Sequence, residues 1–291
     1  MRFLNNSVAV LFFVQLSICL IYSDLECPRL NFSSSHLPDK HSHDGRNKIP
    51  SGLISTVIKG HQSPHRPFFV RIFSMRNSFN SLEECGGTAI ETRWILTAAI
   101  CVNSSPVDRV FVLSGDFSNR EHQAEMHSVE QVICHLSYRQ GFPDNNLALL
   151  KLETPLPYAY TIPLCYGRQP DCALLGAAGM GQISVVYPNM EPDSLREIKL
   201  TETRGHIFNR CPQNTICTKR TTEDANLCKG DEGAPLYSFH EEVSNHPKCL
   251  YGVAISFGRT KYSRLMCNGG SFFARVPFYY GWIRQTMQDN A

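Results

Sequence analysis

Cys85-Gly86-Gly87-Thr88-Ala89-Ile90 and, just downstream, Trp94-Ile95-Leu96-Thr97-Ala98-Ala99-Ile100-Cys101 form the stretch on which the fold of this chain is decided. Trp94 to Thr97 is a short strand-like run that ends in small residues and a cysteine. Working outward, runs of the same kind recur at Phe68-Phe69-Val70-Arg71-Ile72, Val110-Phe111-Val112-Leu113, Leu147 to Leu152, Tyr251 to Ser256 and Phe272 to Val276, with Gly, Pro, Asn and Asp clustered between them. Many short strands with almost no helical periodicity predict an all-β chain folded as an antiparallel barrel or sandwich. Only the end, Tyr279 to Met287, has a helical pattern.

With 291 residues, 42% of them hydrophobic, the chain can bury a sizeable core. A formal charge of +2, from 28 basic and 26 acidic residues, argues against nucleic acid or an anionic membrane as the main partner. The N-terminus has the pattern of a signal peptide over residues 1–23. A basic Arg2 precedes an apolar run from Val8 to Ile21, which is short for a bilayer span, and Ser23 offers a small residue for cleavage. Residues 24–56 are polar and lack an apolar period, so they are expected to form an extended leader, in which His36, His41 and His43 are solvated and hold no metal. Of the 12 cysteines, Cys19 leaves with the signal. The others suit an oxidising compartment, and none has the Cys-x-x-Cys spacing of a zinc or redox site, so no metal or other cofactor is expected.

The two opening stretches resemble the chymotrypsin/trypsin-like serine proteases, in which the Thr-Ala-Ala run is followed by the catalytic histidine and then a cysteine. Here that position holds Ile100. The chemistry needs an imidazole to take the nucleophile's proton and return it to the leaving amine, and isoleucine has no titratable atom. Asn146-Leu147-Ala148-Leu149-Leu150-Lys151-Leu152 resembles the family strand that opens with the aspartate orienting the histidine, but Asn146 stands in its place; in the serine-protease template that change alone lowers kcat about 10⁴-fold. Asp144, two residues earlier, is expected to project elsewhere. Cys228-Lys229-Gly230-Asp231-Glu232-Gly233-Ala234-Pro235-Leu236 resembles the Gly-Asp-Ser-Gly-Gly-Pro nucleophile loop, with Glu232 for the serine and Ala234 for a glycine. The resemblance extends over roughly residues 57 to 287 and implies a double six-stranded antiparallel β-barrel with a short C-terminal helix, in a peptidase-type domain over 57–291. His127, His135, His206 and His240 lie at other landmarks and are expected to be surface or structural residues.

The resemblance also implies where remnants of the site lie. Gly230, Asp231 and Glu232 form an oxyanion-loop remnant, and the Glu232 carboxylate is expected to fold onto the backbone N–H groups that once held an oxyanion. Asn226, Ser256-Phe257-Gly258 and Ser271 form a substrate-pocket remnant. Maturation by cleavage has two candidate starts, Val57-Ile58-Lys59-Gly60 after Thr56 and Ile49-Pro50-Ser51-Gly52 after Lys48. The implied disulfides are Cys85–Cys101, Cys228–Cys267, Cys211–Cys217, Cys27–Cys165, which would tether the leader, and Cys172–Cys249. Cys134 is left over, as a buried free thiol or a site of intermolecular pairing. Asn31-Phe32-Ser33 and Asn103-Ser104-Ser105 are glycosylation acceptors.

Inactive extracellular homologues of this family, abundant in insects, serve as cofactors or decoys in proteolytic cascades such as immune or clotting signalling. The resemblance therefore implies a secreted, non-catalytic protein with no membrane span after signal removal, whose partners are other extracellular proteins, possible proteases or protease substrates among them. Two alternatives stay open: a hydrolase with altered chemistry, and a structural or secretory-fluid protein with no protease partner.

Overall fold

The computed structural model describes residues 60–75, 82–103, 105–119, 124–167, 173–181, 192–203, 211–218, 226–239, 246–257 and 270–291. Signal, leader, both candidate cleavage starts, Cys27, Asn31, Cys172, His206, His240, Gly258 and Cys267 lie outside the described residues.

Six strands, β2 (Phe69–Met75), β3 (Leu82–Glu91), β4 (Trp94–Thr97), β5 (Val110–Gly115), β6 (Ala124–Cys134) and β7 (Ala148–Leu152), close into an antiparallel barrel in the order β2-β3-β4-β7-β6-β5. β2 alternates buried and half-buried residues, as a barrel strand with one inward face must. β4 and β7 are buried along their whole length, so both read as mostly apolar runs in the sequence. Lys151 of β7 is the exception in type, and its ammonium reaches out to Glu130 at 3.4 Å.

A second, seven-stranded sheet contains β1 (His61–Gln62), β8 (Leu174–Gly179), β9 (Arg196–Thr201), β10 (Thr215–Cys217), β11 (Pro235–Phe239), β12 (Pro247–Phe257) and β13 (Ser271–Arg275), in the order β1-β9-β8-β11-β12-β13-β10. The short β1 pairs with β9 as an added edge strand. The other six curl round so that the chain after β9 meets the chain after β10, through the bridge Glu202–Thr218 and the bond from Thr203 N–H to Cys217 O at 2.8 Å. The second ring is thus completed by one bridge, whereas the first is closed by full ladders. The chain ends in α1 (Val276–Asp289), which starts three residues before the predicted helix because Pro277 fits a first helical turn.

Cys85–Cys101 and Cys211–Cys217 are formed, and Cys228 is disulfide-bonded, though Cys267 lies outside the described residues. The expected pairs Cys27–Cys165 and Cys172–Cys249 give way to Cys165–Cys249, with 4.9 Å between Cα atoms. The reason is backbone register. Leu164 bridges Leu250, Cys165 N–H donates to Leu250 O at 2.9 Å, and Leu250 N–H donates to Pro163 O at 2.8 Å, which brings the two cysteines side by side. Cys134, at the end of β6, is free and half-buried, and burial pushes its thiol up to about 11.

Candidate functional site

Ile100 sits in a short 3-10 turn, Ala99–Cys101, directly after β4. The disulfide to β3 fixes the end of that turn. Its backbone N–H donates to Asn146 Oδ1 at 2.9 Å, and Asn146 Nδ2 donates to Ile255 O at 3.4 Å. Asn146 is buried and joins the turn to β12 through both ends of its amide. It is aimed there by Asn145, whose φ of 56° lies in the left-handed region that asparagine tolerates. Tyr279 Oη of α1 accepts the Asn145 N–H at 3.2 Å, and Asn214 Nδ2 donates to the same oxygen at 3.0 Å. Asp144 is exposed and accepts from Asn214 Nδ2 at 3.2 Å, away from Ile100.

The loop from Cys228 to Ala234 comes from the second sheet and is docked against the first barrel. Gly86 N–H of β3 donates to Glu232 O at 2.7 Å, and Cys101 Sγ approaches the same oxygen at 3.6 Å. Close approach explains the glycine at 233: with φ at +82°, a Cβ there would stand 2.2 Å from Gly86 O and from Thr97 Oγ1. The structure therefore gathers Ile100, Asn146 and Glu232 from three separate segments into one place, where they contribute an alkyl chain, an amide and a carboxylate.

Two successive carboxyl groups face opposite ways. Asp231 is fully buried; its Oδ1 accepts from Gly181 N–H at 2.7 Å and its Oδ2 from Cys228 N–H at 2.9 Å. Burial, opposed by those two bonds and reinforced by Glu232 and Glu84, pushes Asp231 up to about 7. Glu232 turns the other way, and its Oε2 accepts the Gly230 N–H at 2.7 Å. Burial raises Glu232 as well, against hydrogen bonds from its own N–H and that of Gly230. The carboxylate thus occupies the N–H pair at the tip of the loop, which Gly230, with φ at 93°, holds open.

Of the pocket remnant, Asn226 and Ser271 are both buried and joined, Ser271 Oγ donating to Asn226 Oδ1. Ser256 and Phe257 continue β12, Phe257 pairing with Ser271. Asn103 is exposed at the end of the turn that carries Ile100.

One serine–histidine pair went unread in the sequence. Ser114 Oγ lies 2.8 Å from His127 Nε2. Both side chains are buried and point into the closed barrel, from inward-facing positions of β5 and β6. Burial holds His127 below its ordinary value, and among the described residues no carboxylate hydrogen-bonds its other nitrogen. The alternation along β5 and β6 was the available signal, since it places positions 114 and 127 on one inner face. Among the described residues no group of three or more His, Cys, Asp or Glu side chains is placed to hold a metal ion.

Residues 57–283 match the family model described as Trypsin. The chain is 30% identical over 223 residues to an ovochymase of Halocynthia roretzi, an overlap that covers 69% of this chain and 13% of that protein. It is 26% identical over 172 residues to vitamin K-dependent protein C of Mus musculus, covering 53% of this chain and 37% of that protein. The chain thus spans well under half the length of each of these relatives.

Proposed function

Because this chain belongs to the trypsin family, we propose that it is a secreted member that cuts no peptide bonds and acts by binding other extracellular proteins, as a regulator or decoy in an extracellular proteolytic cascade. One observation supports this: Ile100 N–H bonds Asn146, and Cys101 of the same turn lies 3.6 Å from Glu232 O, so the positions that the resemblance assigns to an imidazole, a carboxylate and a hydroxyl carry an alkyl chain, an amide and a carboxylate. Isoleucine accepts no proton, the Asn146 amide is committed to Ile100 N–H and Ile255 O, and Glu232 fills the N–H pair that stabilises an oxyanion. Disulfides among the described residues suit an oxidising, extracellular setting. No helix of the described residues is long and apolar enough to cross a membrane. β12 runs on through Ser256 and Phe257, past the carbonyl that holds Asn146, and offers extended backbone to a peptide.

The test compares the purified chain with the triple variant Ile100→His, Asn146→Asp, Glu232→Ser on broad peptide and ester substrates. No turnover by the natural chain is expected. Turnover that disappears in Glu232→Ala would end the non-catalytic interpretation and favour a hydrolase of altered chemistry.

A further inference from the structure

We propose that Glu232 is a proton-operated plug: its carboxylate is the resident ligand of the Gly230 and Glu232 backbone N–H groups, and acid releases it so that the carboxylate of a partner peptide takes its place. The proposal rests on the non-catalytic assignment of this same loop and adds its regulation and the chemical class of its ligand.

The geometry is that of an occupied anion site. Gly230 N–H to Glu232 Oε2 at 2.7 Å is the length of a charge-assisted bond. The loop carbonyl is anchored separately by Gly86 N–H, and Gly233 admits no side chain, so the loop keeps its shape when the Glu232 side chain swings away. Only side-chain torsions need change, and what remains is a vacant pair of donors. The ionised form holds the plug in place, because a carboxylate accepts these bonds about twice as strongly as a neutral acid. Protonation weakens them and lets an ionised ligand compete.

The surroundings make that protonation accessible. Burial favours the neutral form of Glu232. Asp231, on the same loop, is a second buried carboxyl held at about 7, and each ionised member of the pair disfavours the other. Among the described residues, the charged groups that bear on the pair are Lys229 on the loop, which favours ionised Glu232, and Glu83 and Glu84 of β3, which oppose ionisation. Glu84 is itself paired with Arg71 of β2, so its influence is partly neutralised.

The full chain, labelled with ¹⁵N-glycine, tests this through the Gly230 amide, with circular dichroism confirming the fold at each pH. The Gly230 proton resonance is expected to lie downfield at about pH 8 and to move upfield as the solution is acidified, with one component from Glu232, its midpoint above that of an ordinary glutamate, beside one from the neighbouring Asp231. Glu232→Gln, which keeps the shape and loses the charge, should abolish the Glu232 component and leave the Asp231 one, which Asp231→Asn removes in turn. Formate at about pH 8 should shift Gly230 saturably in Glu232→Ala, roughly tenfold or more tightly than in the natural chain, and the natural chain should gain the response in acid. A Gly230 pH response in the folded natural chain that is the same as in Glu232→Gln overturns the proposal, as does equal formate binding by natural chain and Glu232→Ala at about pH 8. Substrate hydrolysis by the natural chain is a separate readout: it would sink the non-catalytic assignment without touching the amide titration.

Discussion

Stability of the uncut chain should fall as pH rises through neutrality, and Asp231→Asn should remove that dependence. Asp231 is fully buried, and among the described residues its side chain meets two backbone donors and repulsion from Glu232 and Glu84. Its carboxyl moves from an ordinary 3.8 to about 7 on folding. Because the folded value is the higher one, the folded chain binds the proton first as pH falls. The contribution is complete below about pH 4 and is lost as pH rises through about 7. At about 1.4 kcal/mol for each tenfold change in proton affinity, the interval corresponds to about 4 kcal/mol as an upper bound. For a domain of this size that is roughly 10 °C in Tm. Asparagine keeps an oxygen for Gly181 N–H but turns an NH₂ toward Cys228 N–H, leaving a buried donor unsatisfied at a cost of about 1–3 kcal/mol. Asp231→Asn should therefore melt below the natural chain at about pH 5 and approach it at about pH 8. Scanning calorimetry of both proteins across that range measures the difference curve. The difference matters more than either curve, because His127, held low by burial, titrates in the opposite sense in both. A difference that is flat with pH would refute the assignment of a strained, uncompensated carboxyl to Asp231.

Peptide mapping without reduction should recover Cys165 linked to Cys249, and replacing both by alanine should cost roughly 4–5 kcal/mol, the chain-entropy value for the 84-residue separation. Recovery of a Cys27–Cys165 peptide would contradict the register given above. Gly233→Ala should destabilise by about 3 kcal/mol or more in denaturant unfolding, because the new Cβ meets Gly86 O and Thr97 Oγ1 at 2.2 Å with φ at +82°; a loss below about 1 kcal/mol would show that the loop yields. Arg66→Met should cost about 3–5 kcal/mol by stranding Glu197, which is buried against Arg66, Tyr237 and Ser63, and Arg66→Met with Glu197→Leu should recover much of the loss. Equal unfolding midpoints for the single and double variants would deny the pairing its role.

What could be read from the sequence was local. Ile100, Asn146 and Glu232 each lie inside a short motif that resembles the family's, so residue type alone named the side chain that stands at each place. The strand runs were legible because barrel strands are apolar on at least one face, and β4 and β7 on both. The resemblance implied two six-stranded rings, but the bond that completes the second, the Glu202–Thr218 bridge, was not legible, since it depends on how six strands curl.

The side chains of residues 100, 146 and 232 are a matter of sequence: covalent identity settles that no imidazole and no hydroxyl stand at these positions. Which cysteines meet, whether Asp231 has a counter-charge and where the Glu232 carboxylate comes to rest were decided only in three dimensions. Each depends on distances between segments far apart along the chain, such as Pro163–Cys165 against Cys249–Leu250, Gly181 against Asp231, and Gly86 against Glu232. Hydrogen bonding and burial act over a few ångströms of space, and separation in sequence does not report that space.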